Sequence, residues 1–252
     1  MAITVSGKWA VVTGGTKGIG KGIAEALAAN GASTVIVSRS QADCDAVSSA
    51  IREQYGTASV GIAADLTKAG DIAGLVEKAV AAAGRIDVLV NNAGAAITKR
   101  AEDLTEEDWD RVISLDLKAV FFTAQAFGRH MIENKGGSIV NIASMLGLVA
   151  DKQVLPYCVA KGGVIQMTRA LALEWVRHGI RVNAVCPGYV MTDMNRADLE
   201  NEKIAAHLLG KIPMRRYAQV GEITDAIVFL ASDSSSYMTG QHIVMDGGWT
   251  AE

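Results

Sequence analysis

Proline is scarce, with three in 252 residues, while half the chain is hydrophobic and 20% is charged. That balance excludes a disordered, collagen-like or mucin-like polymer. No apolar run approaches the roughly 18 to 20 residues of a membrane span, and the segment Met1 to Lys8 lacks the apolar stretch of a signal peptide. A cytoplasmic protein without a membrane partner is therefore expected. Charge of a single sign is also missing: 24 Lys and Arg stand against 27 Asp and Glu, a net of −3, with the basic residues scattered. Such a chain has no footprint for gripping nucleic acid. The three cysteines Cys44, Cys158 and Cys186 are far apart with no C-x-x-C, and the histidines His130, His178, His207 and His242 are dispersed. Neither a disulfide framework nor a metal site is expected. What remains is a globular chain of 26.4 kDa, long enough for a sizeable core and read as one domain over residues 1–252.

Short β-rich runs alternate with helical stripes almost from end to end, the pattern of a doubly wound parallel α/β sheet with helices on both faces. Seven buried strands are expected, at Trp9–Thr13, Thr34–Val37, Val60–Ala63, Val88–Val90, Ser138–Ile142, Val182–Val185 and Ile243–Met245. Apolar spacings of three and four, such as Ile19, Ile23, Leu27 and Ile72, Leu75, Val76, Ala79, predict the crossover helices. Two longer helices are expected over Thr105 to Met131 and Tyr157 to His178. Their stripes, Trp109, Val112, Ile113, Val120 and Ile165, Thr168, Leu171, Ala172, Trp175, are broad enough for core and partner contacts together. Only Tyr189 to Val220, rich in Met and charge, resists the alternation and reads as a long functional loop.

Immediately after the first strand stands Thr13-Gly14-Gly15-Thr16-Lys17-Gly18-Ile19-Gly20, followed by an amphipathic helix. Glycine permits the tight turn and the close approach of the chain to a pyrophosphate, whose charge then faces the free amides of the helix N-terminus. In this strand-to-helix setting the motif points to a dinucleotide. The spacing Gly14, Gly18, Gly20 is not the commoner G-x-G-x-x-G. Together with Asn91-Asn92-Ala93-Gly94, Ser144, Tyr157, Lys161, Pro187-Gly188-Tyr189-Val190-Met191-Thr192 and Asp246-Gly247-Gly248, it resembles the short-chain dehydrogenase/reductases over essentially the whole chain.

The resemblance implies a Rossmann-like fold with a seventh strand, and NAD or NADP as cofactor. It further implies that Asp65 and Leu66 meet the adenine, that Asn91, Asn92, Ala93 and Gly94 border the cofactor cleft with Pro187 and Gly188, and that Val190 and Thr192 hold the nicotinamide carboxamide. Asp65 could equally cap the following helix, and both roles can hold at once. An acid at the end of the second strand would bind the ribose 2′-hydroxyl of NAD and repel a 2′-phosphate. Here that place reads Ser38-Arg39-Ser40, with Asp43 and Asp45 only in the next helix. Arg39 supplies a planar fork of donors, Lys17 a second positive charge and Ser38 a hydroxyl, so NADP(H) is the expected cofactor.

Tyr157 and Lys161 are four residues apart and share one helix face. Reducing a ketone requires a proton for the developing alkoxide, and a tyrosine ionising near 10 exchanges poorly at neutral pH unless a nearby cation stabilises tyrosinate. By resemblance Ser144 hydrogen-bonds the substrate oxygen, Tyr157 exchanges the proton, and Lys161 tunes Tyr157 while holding the nicotinamide ribose. One position departs from the family pattern: many members carry asparagine in an Asn-Leu pair where this chain reads Ser114-Leu115-Asp116-Leu117. Asp116 shares the stripe of Val112 and Val120 and is expected to point inward. Three readings stay open: a partly solvated acid, a residue whose backbone does the structural work, or a proton-relay member beside Lys161 whose charge offsets the lysine's pull on Tyr157.

Substrate pockets in this fold lie beyond the strand C-termini, which nominates Ala95 to Arg100, Met145 to Leu155, Tyr189 and Met191 to Leu209. Leu146, Leu148, Leu155, Met191 and Met194 suit a ketone with hydrocarbon flanks, whereas Arg100, Asp151, Lys152 and Gln153 suit a polar or anionic one. The resemblance admits simple ketones, 3-oxoacyl thioesters, sugar acids and polyols, and steroids, and it implies a homotetramer or homodimer. A dehydratase or epimerase would normally carry a longer C-terminal substrate domain. The rival outside enzymology is an NADP-binding sensor, which would be free to lose Ser144, Tyr157 or Lys161.

Overall fold

The computed structural model describes residues 3–192 and 196–251. In chain order the first half contains β1 (Trp9–Thr13), α1 (Gly18–Ala29), β2 (Ser33–Ser38), α2 (Gln41–Tyr55), β3 (Ser59–Ala63), α3 (Ala69–Ala83) and β4 (Val88–Asn91). Next come α4 (Glu106–Ile113), a π turn over Ser114–Lys118, α5 (Ala119–Glu133), β5 (Gly137–Ile142), α6 (Leu155–Trp175) and β6 (Ile180–Pro187). The chain closes with β7 (Val190–Met191), α7 (Arg196–Leu199), α8 (Glu202–Lys211), β8 (Ala218–Gln219), α9 (Val220–Ala231) and β9 (His242–Met245).

Seven strands pair in the order β3-β2-β1-β4-β5-β6-β9, all parallel, which is the doubly wound arrangement expected. Both faces of each central strand are covered, so successive residues feed alternate cores. Val12, Ile36, Val90 and Val140 pack under α1, α2 and α9 with Ile23, Leu27, Ile51 and Ile227. Their neighbours Val11, Val35, Leu89 and Ile139 pack on the other side with Leu75 of α3, Phe127 of α5 and Leu171 of α6. The order in which strands are added reverses at β1 and β4, so a crevice opens at the C-terminal ends of those two strands.

The helix expected over Thr105 to Met131 is a single rod from Glu106 to Glu133, started by a reciprocal Thr105–Asp108 capping box and interrupted by the π turn. Trp109 does not join its buried stripe; the ring is 36% exposed while Val112 is fully buried. Within Tyr189 to Val220, expected as a loop, the described residues instead form a small structured flap. β7 and β8 pair in parallel, and Leu199, Leu208, Ile212 and Tyr217 form its own apolar core with Met191 and Trp249. Its helices are too short to show a stripe, and the partner that closes their core, Trp249, lies some forty residues further along the chain. The helix α9 follows directly, opened by a Gln219–Glu222 capping box. Among the described residues no helix is long and apolar enough to cross a membrane, and no cluster of His, Cys, Asp or Glu is arranged to hold a metal ion.

Candidate active site

The loops that follow β1 and β4 are fastened to each other before any ligand is considered. Thr13 Oγ1 accepts the amides of Asn92 (2.9 Å) and Ala93 (3.1 Å), and Asn92 Nδ2 donates to the Thr13 carbonyl at 3.0 Å. Gly14 adopts φ +63°, and a Cβ there would stand 2.9 Å from Asn92 Nδ2. At Gly20 a Cβ would collide with the Gly14 carbonyl and Asn92 Nδ2. The glycines therefore let α1 start against the β4 loop, as close approach to a pyrophosphate requires. No side chain caps the N-terminus of α1 and no acid lies in its first turn, so its amides and the positive end of its dipole face the crevice.

That crevice is a cleft of about 1470 Å³. Gly14, Thr16, Lys17, Gly18, Ile19 and Gly20 line it, with Ser38 and Arg39 from the end of β2. Asp65, Leu66, Asn92, Ala93 and Gly94 line it from the neighbouring strands, and Gly188, Val190 and Thr192 from the far side. Neither Asp43 nor Asp45 does. Asp65 does not cap α3, whose N-cap is Lys68; its Oδ1 accepts the hydroxyl (2.7 Å) and amide (3.1 Å) of Thr67, which hold it below the usual carboxylate range. Asn91 and Pro187 are buried and do not line the cleft. Asn91 donates its amide to Asn141 Oδ1 at 2.9 Å, and Asn141 in turn donates to Thr168, which ties β4 through β5 to α6.

Of the residues expected to handle the proton, two reach the cleft and two lie buried. Ser144, two residues past β5, lines it together with Tyr157 from the first turn of α6. The Ser144 hydroxyl accepts the Leu146 amide at 3.1 Å, which leaves its proton available to another acceptor. Lys161 is 3% exposed; its Nζ donates to the Ile142 carbonyl at 3.0 Å and lies 5.3 Å from the Tyr157 ring centroid. Asp116, brought in by the π turn, is fully buried, with Oδ1 accepting the Ala95 amide at 2.7 Å and Oδ2 3.2 Å from Lys161 Nζ. Of the readings open for Asp116, the partly solvated acid is removed by this burial.

Residues 14–250 match the family model described as enoyl-(acyl carrier protein) reductase. The 2-dehydro-3-deoxy-D-gluconate 5-dehydrogenase of Escherichia coli K12 is 40% identical over 99% of this chain and 98% of its own length. The chain belongs to the short-chain dehydrogenase/reductase family. A 3-oxoacyl-[acyl-carrier-protein] reductase of Thermotoga maritima is 39% identical, covering 97% of this chain and 98% of the relative. A solved gluconate 5-dehydrogenase of Burkholderia cenocepacia J2315, in complex with NADP and tartrate, superposes with TM-score 0.95 at 33% identity over 99% of this chain and 98% of that one. As a short-chain dehydrogenase/reductase the protein is an oxidoreductase acting on CH–OH groups.

Several walls of this short-chain dehydrogenase/reductase cleft were not singled out from the sequence. Glu106, Glu107, Asp110 and Arg111 of α4 line it, along with Thr67, Ser114 and Leu115. Their spacing marks an ordinary solvated helix face, and only the tertiary structure brings that face to the cleft. Of the substrate-side candidates, Ala95, Ala96, Thr98, Met145, Leu146, Val154 and Tyr189 line the cleft, whereas Leu148 and Leu155 are about 40% exposed outside it. Met194 lies outside the described residues. Burial pushes the Tyr189 phenol up to about 12, so it stays a neutral donor across the working range.

Proposed function

We propose that the protein is an NADPH-dependent carbonyl reductase, working reversibly as a secondary-alcohol dehydrogenase on a small polar ketone of the keto-sugar-acid or polyol class. The observation that carries the reading is Tyr157 and Ser144 at the wall of a cleft that the glycine cradle also lines, with Lys161 and Asp116 buried beside Tyr157. The cradle fits a dinucleotide: the absence of side chains at Gly14 and Gly20 lets the loop after β1 and the start of α1 pack tightly against the β4 loop, and the uncapped start of α1 offers amides to a pyrophosphate. Lys17 and Arg39 at the rim, with no acid at the end of β2, support the 2′-phosphate of NADP over the free hydroxyl of NAD. When bound, the nicotinamide supplies or accepts the hydride.

The chain's own residues do the rest. Ser144 orients the carbonyl oxygen with its hydroxyl, Tyr157 gives that oxygen its proton during reduction, and Lys161 fixes the phenol and its charge state. Thr98 and the hydroxyl of Tyr189 supply polar contacts to a hydroxylated substrate. The names of the sugar-acid dehydrogenases among the relatives support that substrate class. A second reading, a 3-oxoacyl thioester substrate, is favoured by the apolar wall of Met145, Leu146 and Val154 and by the acyl-carrier-protein reductases among the relatives. Loss of NADPH absorbance with 5-ketogluconate, other keto acids and an acetoacetyl thioester separates the two. Tyr157→Phe should cut turnover by about 10²- to 10⁴-fold with NADPH affinity, read by fluorescence, unchanged; retained turnover removes Tyr157 from the chemistry.

A further inference from the structure

Asp116 carries a consequence for the direction in which this site works. An α-helix through Ile113 to Val120 would need only i to i+4 spacing, but the π turn at Ser114–Lys118 adds a residue and swings the carboxylate under the β4 loop. There it is enclosed: the Ala95 amide stands at 2.7 Å, the Lys161 ammonium at 3.2 Å, and a Cβ on Gly94 would come within 2.7 Å of Oδ2. Lys161 is equally enclosed, held by the Ile142 carbonyl on one side and the Tyr157 ring on another. Burial raises Asp116 above the usual carboxylate range, while Lys161 and the Ala95 amide act the other way. Other titratable neighbours include Tyr157 itself, which interacts with the Tyr189 phenol that burial pushes up to about 12, and Cys186 of β6, whose thiol burial pushes up to about 11.

An isolated ammonium at Lys161 would draw the phenol of Tyr157 toward phenolate. A carboxylate in contact with that ammonium cancels much of its field, since the dyad is net neutral when both groups are ionised. Resting on the assignment of Tyr157 as the proton-transfer group, we propose that Asp116 is a positioning residue that neutralises Lys161 and keeps Tyr157 a phenol, so that the site favours carbonyl reduction at neutral pH and oxidises alcohols well only in alkaline solution. In reduction the phenol O–H bond breaks as its proton moves to the former carbonyl oxygen, and solvent reprotonates the phenolate. In oxidation the phenolate takes the hydroxyl proton of the alcohol as hydride leaves its carbon for the nicotinamide.

Asp116→Asn preserves size and the bond from Ala95 while removing the charge. The pH profile of kcat/KM for alcohol oxidation should then move at least about one unit toward acid, a roughly tenfold gain on its rising limb. The falling limb for reduction should move the same way. A readout independent of turnover is the tyrosinate difference absorbance of the protein without cofactor, taken against the matching Tyr157→Phe background, which should appear at correspondingly lower pH in Asp116→Asn. Coincident profiles and coincident absorbance overturn the proposal. Should the variant fail to fold, the wild type alone decides: oxidation must still be rising above about pH 9, near the range in which tyrosine ordinarily ionises, and a plateau already reached by pH 8 overturns it. Turnover in Tyr157→Phe would sink the assignment of the proton donor itself, whereas an inactive Tyr157→Phe beside an unshifted Asp116→Asn sinks only the role of Asp116.

Discussion

Arg39→Asp reverses the charge just past the end of β2, at the open cleft. A unit charge pair at about 4 Å is worth roughly 4 kcal/mol near a protein surface and roughly 1 kcal/mol in bulk water. Arg39 is an exposed rim residue, so the contact with a 2′-phosphate belongs toward the lower end, about 2 kcal/mol once its charged hydrogen bonds are included. Repulsion between the new carboxylate and the phosphate adds about 1 kcal/mol, and a bond from the ribose 2′-hydroxyl to the carboxylate favours NADH by about as much. At about 1.4 kcal/mol per factor of ten, the NADPH-to-NADH ratio of kcat/KM should fall by about 10²- to 10³-fold. Initial rates at 340 nm with one ketone and each cofactor measure it. Raising the salt should narrow the wild-type preference, because these charges are exposed to solvent screening. A ratio that moves less than about threefold in Arg39→Asp would refute the placement of the 2′-phosphate, for no other change in the substitution compensates a charge reversal of this size.

Two further outcomes test the frame around the site. Phe127 is fully buried between α5 and the sheet beside Leu89 and Ile139; Phe127→Ala should cost about 3 to 5 kcal/mol and lower the thermal midpoint by about 6 to 10 °C at roughly 2 °C per kcal/mol, measured by circular dichroism. Glu222 joins α9 to the flap through two 2.7 Å bonds from Arg216, which with the Gln219 amide lower its pKa to about 2 from the ordinary 4.5. A lowered carboxyl stabilises the fold fully above its unfolded value and loses that contribution as pH falls toward about 2. Glu222→Gln should therefore melt slightly below the wild type at pH 7, with the gap shrinking between pH 4.5 and pH 3, and a gap constant over that range would contradict the pairing.

Which parts of this were legible in one dimension follows from the range of the forces involved. The strands of the sheet and the crossover helices carry their signal locally, because a strand covered on both faces needs a continuous apolar run and a helix covered on one face needs a stripe. The glycine loop is legible for the same reason: Gly14 and Gly20 are required by backbone geometry within a few residues of themselves, even though the atoms they make room for belong to Asn92. The flap was read as a loop because its core is assembled between α7, α8 and Trp249, and neither short helix displays a pattern by itself. Asn91 was placed in the cleft by resemblance, but its amide is directed sideways to Asn141 by the pairing of β4 with β5, a fact of register that a single strand does not contain.

The sequence by itself determined the alternation of strand and helix, the cradle for a dinucleotide, the absence of an acid at the end of β2 and the pairing of Tyr157 with Lys161 on one helical turn. These depend on spacing along the chain. Only the tertiary structure decided that α4 lends an acidic face to the cleft, that the stretch after Tyr189 folds, and that Asp116 meets Lys161 at 3.2 Å. Residues 45 apart in sequence come into contact there because a π turn rotates one helix by a residue and the shared sheet holds the other against it. Periodicity says which way a side chain faces, and packing alone says what it faces.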